Sequence, residues 1–243
     1  MELKNIFKME MYKNRNDKPY LLVIAILSVM AAASTFLGIA MIEDKIAEMS
    51  VISAILIVLV IFTILGLCIF SLLYPFHLLN VDYKNKVMSL IFASGVSRGK
   101  YYFVKISATI LACMIASLTI LIIPIITFLL VYPEIFVRMM QGIFENFNFS
   151  DLVPFLLMVI FSWLAYFVMF TTSVIITKGK VAGIFLFIGF SFAVSTIQSI
   201  FSVPLFFTMD NFINYFYIVT VFSIVQIIVF VLIGLNVLRK QDL

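Results

Sequence analysis

The chain of 243 residues is poor in charge, and this shortage excludes an ordinary soluble fold. Asp, Glu, Lys and Arg make up only 12% of its residues, whereas 64% are hydrophobic. A typical soluble domain carries about 25% charged residues. A soluble protein of this size could not cover so much apolar surface with so few charges. The composition therefore predicts a membrane protein, whose solvent is lipid.

Histidine and cysteine are also scarce, which argues against a metal site and a disulfide framework. The sequence contains one histidine, His77, and two isolated cysteines, Cys68 and Cys113. No metal-ligand spacing follows from these residues, and no nucleophile with a neighbouring base is visible for a hydrolase. We therefore predict that the chain is not an enzyme and holds no catalytic residue, metal or cofactor of its own.

Long apolar runs dominate the sequence instead. A membrane helix needs about 20 mostly apolar residues. Six segments meet that requirement: 20–42, 51–79, 103–132, 152–176, 181–207 and 215–238. Lys105 is the only Asp, Glu, Lys or Arg within them. We predict an all-α polytopic membrane protein with six transmembrane helices, forming a single transmembrane domain over residues 1–243.

The lysines and arginines predict which side of the membrane each connection faces. Fourteen of the sixteen lie on one side: thirteen are in the N-terminal segment, the second and fourth connections or the C-terminal tail, and Lys105 is at the start of the third span. Only Lys45 and Arg138 lie in the other connections. Because cytoplasmic loops carry an excess of Lys and Arg, we expect both termini and residues 80–102 in the cytoplasm. The net charge of +4 then reflects this topology, and we predict no nucleic-acid partner.

Two segments outside the spans have apolar residues at helical spacing. In 1–19, Leu3, Ile6, Phe7 and Met11 alternate with lysines, which predicts an amphipathic helix in the cytoplasmic interface. The segment 133–151 is predicted to lie outside the cell. Its apolar stripe consists of Ile135, Phe136, Met139, Met140, Ile143, Phe144 and Phe147.

The connection 80–102 contains a fragment that looks like half of a nucleotide-binding loop. A P-loop requires four residues between its two glycines and a Ser or Thr after its lysine. Here three residues separate Gly95 from Gly99, and Tyr101 follows Lys100. We therefore expect no nucleotide at this loop. Its sequence predicts a helix over about 82–92, a turn at Ser94-Gly95 and a second helix capped by Ser97.

The same connection resembles that of ABC-2-type permeases, the membrane subunits of one class of ABC transporter. Asp82 matches the acidic start of the family pattern, Leu90-Ile91-Phe92 its apolar run, Val96-Ser97-Arg98 its turn and Lys105 the lysine that opens the third span. Lys86-Val87 replaces the family's Gly-Thr, and Gly95 replaces a common proline. The six spans, cytoplasmic termini and amphipathic N-terminus agree with the same family.

The resemblance implies a separate ABC ATPase subunit that binds ATP and Mg²⁺ and docks on this connection. It also implies a second permease, either the same chain or a sister chain, in the bacterial cytoplasmic membrane. We expect the apolar side chains of the connection to fill a groove on the ATPase, ringed by its cations. The expected coupling residues are Asp82, Lys84, Lys86, Met88, Ile91, Phe92 and Arg98.

Small residues in the first span allow another helix to approach closely. These residues are Ala31, Ala32, Ala33, Ser34 and Gly38. They predict an interface with the second permease, and packing within the chain is the alternative.

The substrate is expected to be hydrophobic or amphipathic, since the spans hold so little charge and the chain contains 27 Phe and 13 Met. The resemblance extends to small permeases that export antimicrobial or cytolytic peptides, including bacteriocin self-immunity systems, and so implies peptide export. Two alternatives stay open. The chain could be a membrane immunity or assembly protein that transports nothing, or an ion-coupled secondary carrier.

Overall fold

The computed structural model of the chain describes residues 3–42, 50–85, 87–146, 149–206 and 212–241. Every regular element in those ranges is an α-helix, which confirms the all-α prediction for this part of the chain. The helices are α1 (Leu3–Arg15), α2 (Lys18–Ile42), α3 (Ser50–Lys84), α4 (Val87–Ala93), α5 (Arg98–Val131), α6 (Pro133–Asn146), α7 (Phe149–Ile176), α8 (Ala182–Phe206) and α9 (Phe212–Lys240).

Six of these helices are long and apolar enough to cross a membrane: α2, α3, α5, α7, α8 and α9. They follow the order of the six predicted segments, so the description as a multi-pass membrane protein agrees with the structure. With 35 and 34 residues, α3 and α5 are the longest. At a rise of 1.5 Å per residue each is about 50 Å long, which exceeds a hydrocarbon core of about 30 Å.

The described residues form two compact units. Unit 1 comprises those within Met1–Glu10, Pro75–Ile110 and Phe147–Leu243, and unit 2 comprises those within Met11–Tyr74 and Leu111–Asn146.

In unit 1, α7 packs against both α8 and α9, and a run of small and hydroxyl residues on α7 permits close approach. The Thr172 hydroxyl lies 3.0 Å from the Phe230 carbonyl oxygen of α9 and 3.4 Å from the Tyr102 hydroxyl of α5. A methyl group at Gly234 would lie only 2.7 Å from that same tyrosine oxygen. Glycine at position 234 therefore lets α5, α7 and α9 meet at one point.

In unit 2, α2 and α3 approach each other through small side chains. A methyl group at Gly66 would lie 2.7 Å from a methyl group of Leu27, and the Ser34 hydroxyl lies 3.4 Å from that of Thr63. Aromatic rings of Tyr20 and Tyr74 contact each other at a centroid distance of 4.9 Å. Ser34, one of the residues predicted to contact a second permease, thus also packs within the chain.

The remaining predicted interface residues, Ala31, Ala32, Ala33 and Gly38, are half-buried on α2. A methyl group at Gly38 would meet no described atom within 4 Å, so space remains beside this residue. Their contact with a second permease stays a prediction.

The connection between α3 and α5 differs from the single helix predicted over 82–92. Instead, α3 continues to Lys84 and the separate helix α4 begins at Val87. In one straight helix Asp82 and Ile91 would point in opposite directions, because each residue turns the helix by about 100°. The break lets both side chains be buried: Asp82 is 0% exposed and Ile91 is 7% exposed.

The predicted turn and cap after α4 are confirmed. The Gly95 N–H donates to the Phe92 carbonyl at 3.0 Å. Gly95 has a φ of 84°, which glycine adopts without steric cost. The Ser97 hydroxyl accepts a hydrogen bond from the Lys100 N–H at 3.4 Å, so Ser97 caps α5.

The predicted external segment begins with α6, in which Arg138 and Glu134 form an exposed ion pair at 3.7 Å. Phe136 packs edge-on against Phe128 with ring centroids 5.7 Å apart. The other side chains of the predicted stripe, and the residues 147–148, lie outside the described part of the chain.

At the end of α7, Lys178 and Gly179 both have positive φ values, 52° and 74°. The Gly179 N–H donates to the Val174 carbonyl at 2.9 Å and the Lys178 N–H to the Ile175 carbonyl at 3.1 Å. These two bonds form a Schellman motif. Gly179 is also buried against α3, since a methyl group there would lie 2.9 Å from Tyr83 Cβ.

We expect Gly179→Ala to lower the melting temperature of the purified chain in detergent, because the left-handed conformation alone costs about 1–2 kcal/mol for a residue with a Cβ. Gly189→Ala is the matched control: a methyl group on this helical glycine of α8 meets no described atom within 4 Å. Equal melting temperatures for the two variants would contradict the left-handed backbone of Gly179 and its close contact with Tyr83.

Candidate functional site

The candidate site is the connection between α3 and α5 together with the helix ends that it joins. Its centre is Lys105, the one charged residue within a predicted span, and this side chain is only 3% exposed. Its ammonium lies 2.6 Å from Glu10 Oε2 on α1 and 2.5 Å from Asp82 Oδ2 on α3. Both carboxylates are buried as well, with 1% and 0% exposed. We call Lys105, Glu10, Asp82 and Tyr101 the charge cluster.

Tyr101 completes the charge cluster. Its hydroxyl donates a hydrogen bond of 2.7 Å to Asp82 Oδ2, the same oxygen that faces Lys105. Tyr101 and Lys105 are four residues apart on α5, so they project from the same face of the helix. Since an unpaired buried charge costs several kcal/mol, the position of Asp82 on α3 is fixed by two donors on α5.

The charge cluster also fixes the position of α1. Glu10 reaches Lys105 through one carboxylate oxygen, while its buried Oε1 has no hydrogen-bond partner among the described residues. Four residues earlier on α1, Ile6 is fully buried in a core with Met88 and Ile91 of α4 and Tyr101 and Val104 of α5. One ion pair and one apolar cluster therefore attach α1 to both α4 and α5.

Arg98 joins the start of α5 to the end of α9. Its Nη1 lies 2.7 Å from the carbonyl oxygen of Leu238 and 2.8 Å from those of Arg239 and Gln241. The last carbonyls of a helix lack partners within the helix and carry partial negative charge, so a cation is favourable there. The same guanidinium lies 5.5 Å from the centre of the Phe92 ring, a cation–π distance.

Gln241 extends this contact to two further helices. Its side-chain amide donates to the Ile175 carbonyl at 2.6 Å, near the end of α7. Its Oε1 accepts a hydrogen bond from the Tyr83 hydroxyl of α3 at 3.3 Å. Residues 3–10, the connection, the end of α7 and the end of α9 thus meet at one end of unit 1.

The structure divides the predicted coupling residues into an inner and an outer group. Asp82, Met88 and Ile91 are buried within the chain, so a partner could touch them only after a rearrangement. Phe92 and Arg98 are half-buried, and Lys84 is exposed. Lys86 lies outside the described residues. The role of these residues in binding an ATPase stays a prediction.

Leu90 faces outward, which was not predicted from the sequence. It lies on α4 between the two buried residues Met88 and Ile91, and its side chain is 70% exposed. Glu10, Tyr101 and Gln241 were not predicted as partners either. A usable signal was present, because a lysine predicted inside a span requires a nearby carboxylate.

Comparison with protein-family models, with curated proteins and with solved structures finds no match to this chain.

We expect Lys105→Met to destabilise the chain by about 3–5 kcal/mol, because two buried carboxylates would lose their shared cation. The triple variant Lys105→Met, Glu10→Gln, Asp82→Asn removes all three charges and should recover much of that loss. Melting temperatures in detergent would measure both effects. A single variant as stable as the unmodified chain, or a triple variant less stable than the single one, would contradict the proposed charge balance.

Proposed function

We propose that this chain is the permease subunit of an ABC-2-type exporter in a bacterial cytoplasmic membrane. It pairs with a second permease and with two ATPase subunits that bind ATP and Mg²⁺. Both termini and the connection 80–102 face the cytoplasm, where the ATPase docks, and α6 faces the outside. The substrate is a hydrophobic or amphipathic molecule, for which an amphipathic peptide is the best candidate.

One observation carries this proposal: the connection is attached to the ends of the helices that it must move. The charge cluster links it to α1, α3 and α5, and Arg98 and Gln241 link it to α7 and α9. A force applied to α4 therefore acts on several membrane helices at once. Such coupling is needed where ATP hydrolysis takes place in a separate subunit.

The outer face of the connection supports contact with another protein. The exposed Leu90 side chain lies outside the candidate spans, which end at Lys84 and resume at Arg98. Lys84 and Lys100 are exposed on either side of it in the sequence. An apolar centre with a polar rim is a common arrangement in protein interfaces. We assign Leu90 to the ATPase contact, together with the accessible residues among those predicted from the sequence, Lys84, Phe92 and Arg98.

The composition of the spans supports an apolar substrate. Lys105 is neutralised by Glu10 and Asp82, so it is not available to bind an anionic solute. Within the candidate spans the other Asp, Glu, Lys and Arg residues lie in the first or last turns: Lys18, Asp82, Lys84, Arg98, Lys100, Arg239 and Lys240. The middle of each span thus offers only apolar and uncharged polar side chains.

We expect Leu90→Asp to abolish co-purification of the ATPase and its stimulation by amphipathic peptide, while the chain still inserts and keeps its melting temperature. The side chain is exposed, so the change leaves the core of unit 1 intact. ATP hydrolysis by the complex in proteoliposomes measures the effect. Asn85→Asp is the matched control, since it adds the same charge at another exposed position of the connection.

Unchanged ATPase binding and stimulation in Leu90→Asp would contradict the docking surface. Full peptide resistance in cells that lack every associated ATPase would favour the non-transporting immunity protein. Transport that stops when the proton and sodium gradients are dissipated, with ATP retained, would favour the secondary carrier.

A further inference from the structure

Unit 2 contains a cavity that the proposed transport function does not use. Its volume is about 580 Å³, and it is lined by the C-terminal residues of α1 together with α2, α3 and α5. The apolar part of the wall includes Ile24 of α2, Tyr74 of α3 and Ile115 and Ala116 of α5. Small-molecule sites in proteins commonly have volumes of about 300–1,000 Å³, so the cavity can hold a sizeable part of a ligand.

Two adjacent polar residues of α1 complete the wall. Asn14 is only 6% exposed, and its buried Oδ1 has no hydrogen-bond partner among the described residues. A buried acceptor without a donor is costly, and native structures rarely leave one unpaired. The next residue, Arg15, also lines the cavity but is exposed. The site therefore offers one cation at its outer side and one lining residue whose buried acceptor is unfilled.

The position of these residues along the chain matches the layers of a bilayer. Arg15 comes three residues before Lys18, where the first candidate span begins, and Ile24, Tyr74 and Ala116 lie within candidate spans. A cation at the start of a span lies near the lipid phosphates, and residues within the span lie at the depth of the acyl chains. The cavity thus changes from cationic to apolar in the same direction as a lipid molecule changes from headgroup to tail.

We propose that this cavity binds one glycerophospholipid. The phosphate pairs with the Arg15 guanidinium, and one acyl chain lies among Ile24, Tyr74 and Ile115. The Asn14 side chain turns toward the cavity, so that a headgroup hydroxyl or ammonium donates a hydrogen bond to its Oδ1. Arginine suits this role because its planar group can make two parallel hydrogen bonds to phosphate oxygens. A bound lipid would join the end of α1 to three membrane helices. This proposal does not depend on the transport function.

The test is native mass spectrometry of the full-length, delipidated chain titrated with dioleoyl phosphatidylglycerol. We expect one lipid to bind well before any others. Arg15→Gln should weaken that first binding step about tenfold or more, because it removes a charge-assisted hydrogen bond. Lys18→Gln is the control, an exposed cation three residues away that does not line the cavity.

A second pair of variants tests the apolar part. Thr119→Phe places a ring in the cavity wall and should abolish the first binding step, whereas Ser117→Phe adds the same ring at an exposed position of α5 that does not line the cavity. Both positions are exposed, so both variants should fold, and melting temperatures check this. Equal binding within either pair, or no preferred first lipid, would overturn the proposal.

An added amphipathic peptide tests whether the cavity binds a peptide instead of a lipid. We expect it to leave the first lipid in place. Displacement of that lipid by peptide, with the same dependence on Arg15, would overturn the lipid assignment and make the cavity a peptide site.

Discussion

The burial of Lys105 is the constraint on which the connection depends. A cation inside a long apolar helix is stable only with a counter-charge, and here two carboxylates from two other helices supply it. The oxygens of Glu10 and Asp82 must lie within about 3 Å of one nitrogen atom for such a pair to be favourable. This requirement fixes where α1 and the end of α3 lie relative to the start of α5. The apolar core of Ile6, Met88 and Ile91 then forms around these fixed positions.

The burial of Lys105 also explains where α3 ends and which way α4 faces. Because α3 must keep Asp82 facing α5, it continues as a helix beyond its apolar run and stops at Lys84. A separate short helix is then needed to turn Met88 and Ile91 inward, and this leaves Leu90 facing outward. The connection is thus a preassembled surface, whose inner side is held by charge and apolar contact and whose outer side is open to a partner. This arrangement supports the function proposed above, in which a separate ATPase acts on the connection.

Much of the fold could be predicted from the sequence because lipid imposes strong rules on composition. The six apolar runs, the turn at Gly95 and the cap at Ser97 follow from residue type and spacing alone. The partners of Lys105 could not be found in the same way. Five acidic residues lie in segments predicted to be on the same side of the membrane as Lys105, namely Glu2, Glu10, Asp17, Asp82 and Asp242. Only the packing of the helices selects Glu10 and Asp82. The burial of Met88 and the exposure of Leu90 likewise depend on how α4 is rotated, and seven residues are too few to define a periodic pattern.

The connection is proposed to lie in the cytoplasm, and its sidedness can be measured directly. Cysteine replaces Leu90 in one chain and Arg138 in another, each in a background in which Cys68 and Cys113 are changed to alanine. Intact cells are treated with a membrane-impermeant thiol reagent before and after permeabilisation. If the connection is cytoplasmic, Leu90→Cys reacts only after permeabilisation, whereas Arg138→Cys, on the exposed surface of α6, reacts in intact cells. Labelling of Leu90→Cys in intact cells would place the connection outside the cell and contradict the proposed topology.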